Sequence, residues 1–203
     1  MKKIYFFFLL FNNVLSWNPT NYPFIPASTD TSKIRELIIE AQGKNKRILD
    51  IGCGKGYSTS SSKGSLGIDK NKHNIKEAKK LFPNKKFKQT LSYNDDKEYD
   101  IVTCMFYLSD IPRHIRRETI NRALEIAKER VVIVDINPDY KPEKGLLNRH
   151  LYIPDYMKNC RYDLILFNES ILIKNLLSIW TYNKKKSYNK IIAEQNIINN
   201  ILT

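Results

Sequence analysis

Apolar residues fall along this chain in two rhythms, short unbroken runs and helical stripes, and the two alternate. Ile34, Leu37, Ile38 and Ala41 recur at helical spacing behind Asp30, Thr31 and Ser32, which can cap a helix starting at Lys33. Gly43 is a natural stop for it. Arg47 to Ile51 is the first strand. Tyr57 to Ser62 has room for only a short helix, because Gly64 follows at once. Ser65 to Asp69 forms the second strand, Lys72 to Leu81 a helix halted by Pro83, and Lys86 to Thr90 the third strand. Tyr99 to Phe106 is apolar almost throughout, as a strand buried on both faces should be. A long helix, Arg113 to Glu129, turns Ile115, Ile120, Ala123, Leu124 and Ala127 inward, and Val131 to Ile136 is the fifth strand. Such alternation predicts a parallel sheet with helices on both faces.

After the fifth strand the rhythm changes. Leu146, Leu147 and Leu151 suggest a helix over Glu143 to Tyr152. Tyr162 to Phe167 and Ile171 to Tyr182 are apolar, with Asn168-Glu169-Ser170 as a turn between them. Two strands joined so tightly predict an antiparallel hairpin at the sheet edge. The expected fold is therefore α/β and Rossmann-like, seven strands mostly parallel.

Candidate chemistry concentrates where the first strand ends. Asp50-Ile-Gly52-Cys-Gly54-Lys-Gly56 places an acid ahead of three glycines at alternate positions. Backbone without Cβ atoms lets a ligand lie directly against it. A bare phosphate would favour backbone N–H groups and a Lys; an acid favours a ligand with positive charge. Asp69 closes the second strand nineteen residues after Asp50. A carboxylate there can accept both hydroxyls of a ribose.

This spacing, with its preceding strand and second acid, resembles the first motif of the class I S-adenosylmethionine-dependent methyltransferases, of the broad type-11 kind. The dinucleotide fingerprint spaces its glycines differently, which disfavours a nicotinamide enzyme. The resemblance covers about Lys33 to Tyr182 and implies S-adenosylmethionine as cofactor. It implies contacts from Asp50 to the ammonium group, directly or through water, from Gly52, Cys53, Gly54 and Gly56 along the amino acid head and ribose, and from Asp69 to the ribose diol. Lys70, Leu91 and Ser92 stand where adenine lies. Asp95 and Asp96 are weaker candidates for its amino group. Cys104, Met105 and Phe106 should border the sulfonium, and soft sulfur and aromatic groups tolerate a cation well. The resemblance also implies that the first helix lies over the cofactor as a lid.

Methyl transfer demands alignment and exclusion of water more than acid–base chemistry, because the sulfonium is already an excellent leaving group. Tyr107, Asp110, His114 and His150 are the titratable candidates on the acceptor side; none is singled out as a base. Asn137-Pro-Asp-Tyr140 looks like the Asn-Pro-Pro-Tyr motif of amino-group methyltransferases. That motif belongs after the fourth strand, and here it follows the fifth, so DNA adenine methylation is not expected. Metal ligands of the catechol type cannot be matched. The expected reaction is SN2 methyl transfer to a small-molecule or lipid acceptor. An RNA or protein methyltransferase and a non-catalytic cofactor-binding protein are the alternatives.

Charge and cysteine content change this little. The chain has 203 residues, 34 basic against 21 acidic, and a net charge of +13. The lysines are spread over many segments and Arg is not interleaved with aromatics, so a nucleic acid partner is not favoured. Cys53, Cys104 and Cys160 are too few and too far apart for a zinc site or a disulfide framework. Residues 1–17 open with Lys2 and Lys3 before an apolar run too short to span a bilayer. They resemble a secretory or organelle-targeting leader, or an anchor for membrane association. Localisation therefore stays open between such routing and the cytoplasm. Residues 18–32 read as a linker, 33–182 as the methyltransferase domain, and 183–203 as a basic tail with isoleucines at roughly helical spacing. The oligomeric state is not legible.

Overall fold

The computed structural model describes residues 31–43, 45–90, 98–141, 147 and 150–184. The expected leader, nearly all of the linker, the tail beyond residue 184, most of the helix expected over 143–152, and Leu91, Ser92, Asp95 and Asp96 lie outside the described residues.

In chain order the elements are α1 (Thr31–Ala41), β1 (Ile48–Ile51), β2 (Leu66–Asp69), α2 (Lys72–Leu81), β3 (Phe87–Gln89), β4 (Tyr99–Met105), α3 (Arg113–Ile126), β5 (Ala127–Ile136), α4 (Ile153–Asp163), β6 (Asn168–Ile173) and β7 (Leu177–Asn183). A single 3-10 turn, Leu108–Asp110, links β4 to α3. The seven strands form one sheet in the order β3-β2-β1-β4-β5-β7-β6. The first five are parallel, and β7 is antiparallel to both β5 and β6. Strand order reverses between β1 and β4, and the crevice beyond the carboxyl ends at such a reversal is where ligands bind in open α/β sheets.

The period of two in each strand sorts its side chains between the layers. Ile48, Ile101, Val132 and Val134 turn to the face covered by Ile34 and Ile38 of α1. Leu49, Val102, Val131 and Ile133 turn to the face covered by Ile120 and Ala123 of α3 and Tyr156 and Cys160 of α4. α1 is thus built into the core through its apolar stripe.

Three expectations need correction. Residues 57–62 form turns and no helix: Gly56 N–H donates to Cys53 O at 2.9 Å and Thr59 N–H to Gly56 O at 3.3 Å. The reason is the acid behind them, since Ser58 and Thr59 both turn inward to Asp50. α3 stops at Ile126, short of Glu129, and β5 begins at Ala127, whose φ of −74° and ψ of 127° are extended. The added residues Lys128 and Glu129 pair with Glu98 at 2.7 Å and Lys46 at 2.6 Å.

The hairpin exists one element later than expected. Tyr162 and Asp163 are the last residues of helix α4, and Asn168-Glu169-Ser170 is the first half of strand β6. The turn is Lys174 to Leu176, where Asn175 takes a left-handed φ of 55° and Leu176 N–H donates to Ile173 O. Ile153, Tyr156, Cys160 and Leu164, spaced at three and four, are all buried and define α4. Polar residues are tolerated in β6 because it is an edge strand, largely exposed.

Candidate active site

The Gly-rich loop leaves β1 at the switch point and folds back under β2. Gly52 and Cys53 N–H both donate to Ile68 O, at 2.9 and 3.0 Å. All three loop glycines have left-handed φ, 69°, 53° and 89° at Gly52, Gly54 and Gly56, a conformation only Gly adopts freely. Their surroundings differ. A Cβ at Gly52 would meet the Tyr107 ring at 2.5 Å, and one at Gly56 would meet the Phe87 ring at 2.6 Å. At Gly54 nothing lies within 4 Å. The outer two glycines are needed for packing, while Gly54 presents bare backbone to open space.

Asp69, at the end of β2, holds that bare segment. Its Oδ2 accepts from Gly54 N–H at 2.9 Å, and its Oδ1 from Asn71 N–H at 2.7 Å. Capping of α2 falls to Asn71, whose side chain accepts from His73 and Asn74 N–H. Asp69 remains partly exposed. Asn74 Nδ2 donates to its Oδ1 as well, at 3.5 Å. A carboxylate has about four acceptor positions, so one, on Oδ2, is left for a ligand hydroxyl.

Asp50 is different. It has no exposed surface. Its Oδ2 accepts from Thr59 Oγ1 at 2.7 Å and Ser58 Oγ at 2.8 Å, and its Oδ1 from Thr103 Oγ1 at 3.2 Å. Burial pushes its carboxyl above the ordinary range, against the pull of these hydroxyls and of Arg35. In this arrangement Asp50 fixes the loop from behind, and with no exposed surface its carboxyl presents no oxygen for direct contact with an ammonium group. Cys53 packs with Ile75, Ala78 and Phe87, and burial holds its thiol well above the usual value. Cys104 is likewise buried and its thiol raised. Lys70 is exposed, its carbonyl accepting from Gln89 Nε2 at 3.3 Å.

Met105 and Phe106 close β4 beside the loop. Both are buried, and Phe106 has a left-handed φ of 55°. Here stands a residue sequence reasoning missed. Arg35 of α1 donates from Nη1 to Met105 O at 3.1 Å and to Ser58 Oγ at 3.4 Å. Its guanidinium carbon lies 4.5 Å from the centre of the Phe106 ring. The helical stripe of Ile34 and Ile38 could have shown that Arg35 starts beside the core, though not what it reaches.

On the acceptor side, Tyr107 lies against Gly52, and Asp110 and His114 are exposed. Ser109 between them is anchored: its N–H and Oγ donate to the two oxygens of Asp135 at 3.1 and 2.7 Å. Asp135 is a second buried acid, also raised by burial, and was not singled out from the sequence. His150 is partly buried. Asn137-Pro-Asp-Tyr140 is a turn after β5, with Asn137 spent on Asp139 N–H and Ser178 Oγ. Among the described residues no cluster of His, Cys, Asp and Glu could hold a metal ion, and no helix is long and apolar enough to cross a membrane.

Comparison with known proteins agrees with this geometry. The methyltransferase domain family matches residues 27–163. Protein 235L of Invertebrate iridescent virus 6, which carries a provisional methyltransferase name, is 37% identical over 116 residues, covering 52% of this chain and 43% of the viral protein. The chain thus spans less than half the length of that relative. Among solved structures, magnesium protoporphyrin IX methyltransferase from Synechocystis PCC 6803, crystallised with bound SAH, superposes with a TM-score of 0.59 at 16% identity, covering 90% of this chain and 97% of that one. A TehB-like SAM-dependent methyltransferase from Corynebacterium glutamicum gives 0.51 at 20% identity, covering 74% and 87%. The family match takes in the helix, loop and strand ends that build the site, and by it this chain belongs to the methyltransferase domain family, the class I fold that takes S-adenosylmethionine as cofactor.

Proposed function

We propose that the chain transfers a methyl group from S-adenosylmethionine to a small-molecule acceptor. The observation that carries this reading is the contrast between Gly54, open on its Cα side, and its crowded neighbours Gly52 and Gly56. Asp69 holds the open segment by the Gly54 N–H and keeps one acceptor position for a ribose hydroxyl. Bound there, the cofactor supplies a methyl group already activated on sulfur. The protein's own part is placement. The ends of β1 and β4 form one wall, since Ile51 pairs with Cys104 in the sheet. Tyr107 and the Leu108–Asp110 turn form the next, held in register by the Ser109–Asp135 bonds. Alignment of this kind is worth about 7–11 kcal/mol of barrier without any side chain acting as a base.

Support for a small acceptor is coarser. Magnesium protoporphyrin IX methyltransferase is by name an enzyme of a small molecule, and it shares the fold over nearly its whole length. The decisive experiment is binding followed by turnover. S-adenosylmethionine should raise the melting temperature, NAD should not, and Asp69→Ala should abolish the shift. Incubation with methyl-labelled cofactor and fractionated small-molecule extracts should then label an acceptor. Stabilisation by NAD alone would overturn the reading.

A further inference from the structure

The helical layer of α3 and α4 carries an apolar groove on its outer side. Ile120 and Leu124 of α3 line it with Phe167, which precedes β6. Its other wall is Tyr162, Ile165 and Leu166, at and just beyond the end of α4. The cavity between them is about 280 Å³. Tyr162, Ile165 and Leu166 are 68, 73 and 64% exposed. Single exposed apolar residues need no explanation, but three large ones gathered at the mouth of a cavity mark a surface that binds something.

The path of the chain points to the occupant. β7 ends at Asn183, and the ring of Tyr182 lies 5.8 Å from that of Phe167. Lys184 then turns its ammonium over the end of α3. Its Nζ donates to the carbonyls of Leu124, Glu125 and Ala127 at 3.5, 3.3 and 3.0 Å. A cation suits the negative end of a helix. Lys184 therefore holds the chain at the Leu124 end of the groove, and residues 185–203 continue from that point. Among them Tyr188, Ile191, Ile192, Ile198 and Leu202 are spaced by three, four and seven, the stripe of an amphipathic helix. Leu124 to Arg117, at the far end of the groove, is two turns of α3, or about 10 Å. A helix of three turns starting at Tyr188 would span it. Residues 1–30 join the domain at α1, on the opposite face of the sheet, and start far less well placed.

We propose that residues 188–202 dock as an amphipathic helix in this groove of their own chain, with Tyr188, Ile191, Ile192 and Ile198 against Leu124, Phe167, Ile165 and Leu166. The groove opens toward the amino ends of the strands: Leu124 stands just ahead of Ala127, which pairs with Tyr99 at the start of β4. The candidate active site is at the carboxyl ends. Docking is therefore independent of the proposed function and should leave cofactor binding unchanged.

Amide hydrogen exchange on the full chain, read by mass spectrometry, tests this. An isolated helix of this length is marginal in water, so protection reports docking. In wild type, residues 188–202 should exchange at least about tenfold more slowly than the same sequence as a free peptide. Ile165→Asp combined with Leu166→Asp should remove that protection. Both residues are exposed, so β1 and β4 should exchange as in wild type. Ile191→Asp combined with Ile198→Asp should also remove it, and should speed exchange at Leu164 to Phe167. Should the groove variant unfold, seen as fast exchange in β1 and β4, the tail variant decides alone by its effect on Leu164 to Phe167. Free-peptide rates over 188–202 in wild type would overturn the proposal, as would protection that survives the groove substitutions in a folded variant. Protection that grows with protein concentration, with a dimer in sedimentation, would give the groove to a second copy and overturn docking within one chain. Protection that appears only with vesicles of phosphatidylcholine and phosphatidylglycerol would give residues 188–202 to a lipid surface and overturn it equally.

Discussion

Tyr107 lies across Gly52: a Cβ at Gly52 would stand 2.5 Å from Cγ and Cδ2 of the tyrosine ring. The glycine loop and Tyr107, which the proposed function places at the start of the acceptor wall, are therefore packed as one unit. Gly52→Ala must pay a left-handed φ, about 1–2 kcal/mol, and overpacking of about 1–3 kcal/mol. Gly54→Ala meets only the first of these costs, since nothing lies within 4 Å of its Cβ. Urea unfolding should show Gly52→Ala clearly the less stable. Cofactor titration should show Gly54→Ala losing affinity out of proportion to its stability, because its methyl fills the open surface. Equal stability losses in the two variants would contradict the packing of Tyr107 on the loop.

Asp69 accepts from Gly54 N–H on Oδ2 and from Asn71 N–H and Asn74 Nδ2 on Oδ1, which leaves one position on Oδ2 facing the loop. Asp69→Ala should weaken S-adenosylmethionine by about 1.5–3 kcal/mol, the value of hydrogen bonds to a charged group. Lys70→Ala, at an exposed neighbour, should change affinity by less than about 0.5 kcal/mol. Calorimetry on the two variants decides it; similar losses in both would remove Asp69 from the site.

The strand ends and the loop of the candidate site were legible because they are contiguous. Asp50 to Asp69 is one strand, one loop and one strand, and glycine spacing reports backbone geometry directly. Arg35 was not legible, because a helical stripe shows which residues turn inward and is silent on what their neighbours touch. The turns at 57–62 were read as a helix because nothing in a linear sequence says that Asp50 is fully buried and needs the Ser58 and Thr59 hydroxyls. The hairpin was displaced because Asn168-Glu169-Ser170 has turn composition, and an edge strand tolerates it. The α4 stripe lies partly within the apolar run read as a strand, and short apolar runs do not distinguish the two.

Asp50 provides a pH test. Burial raises its carboxyl above the ordinary 3.8. An acid whose native pKa exceeds its unfolded one favours the folded state most at low pH, and that contribution fades as pH rises from the unfolded value through the native one. Asn at this position cannot titrate. Its oxygen can still accept from Ser58 and Thr59, and its NH2 can donate to Thr103 Oγ1, whose proton then goes to Leu49 O at 3.4 Å. The melting temperature of Asp50→Asn should therefore gain on wild type as pH is raised from about 3.5, then level off. A difference that stays flat across this range would mean that Asp50 titrates as it does in the unfolded chain.

Ser109 is the tether between β5 and the acceptor turn. Ser109→Ala removes the 2.7 Å bond to Asp135 Oδ1 and keeps the N–H bond to Oδ2. Asp135 Oδ1 still accepts from Ile136 N–H at 2.8 Å, so the loss is that of one hydrogen bond, about 0.5–1.5 kcal/mol, which urea unfolding should register. The turn carrying Tyr107 and Asp110 should loosen with it. Faster amide exchange is expected over Tyr107 to Ile111, with β1 unchanged. Unaltered exchange there would show that packing alone holds the turn.

Arg116 ties the two helices that cover the outer face of the sheet. Its side chain has no exposed surface; Nε donates to Asp163 at 3.0 Å and Nη2 to Asp155 at 2.6 Å. Arg113 shares Asp163 at 3.0 Å. Removing one member of a buried pair costs about 3–5 kcal/mol, because the other charge is stranded. Here Arg113 still neutralises Asp163, and Arg116 Nη1 has no hydrogen-bond partner among the described residues to lose. Arg116→Met should therefore fall near the bottom of that range, about 3 kcal/mol. Asp155 is 42% exposed on its side chain, and water can replace what it loses, so Asp155→Asn should cost about 1 kcal/mol or less. Urea unfolding of both variants gives the comparison. A larger loss in Asp155→Asn than in Arg116→Met would place the energetic weight of this joint on the exposed bond instead of the buried one.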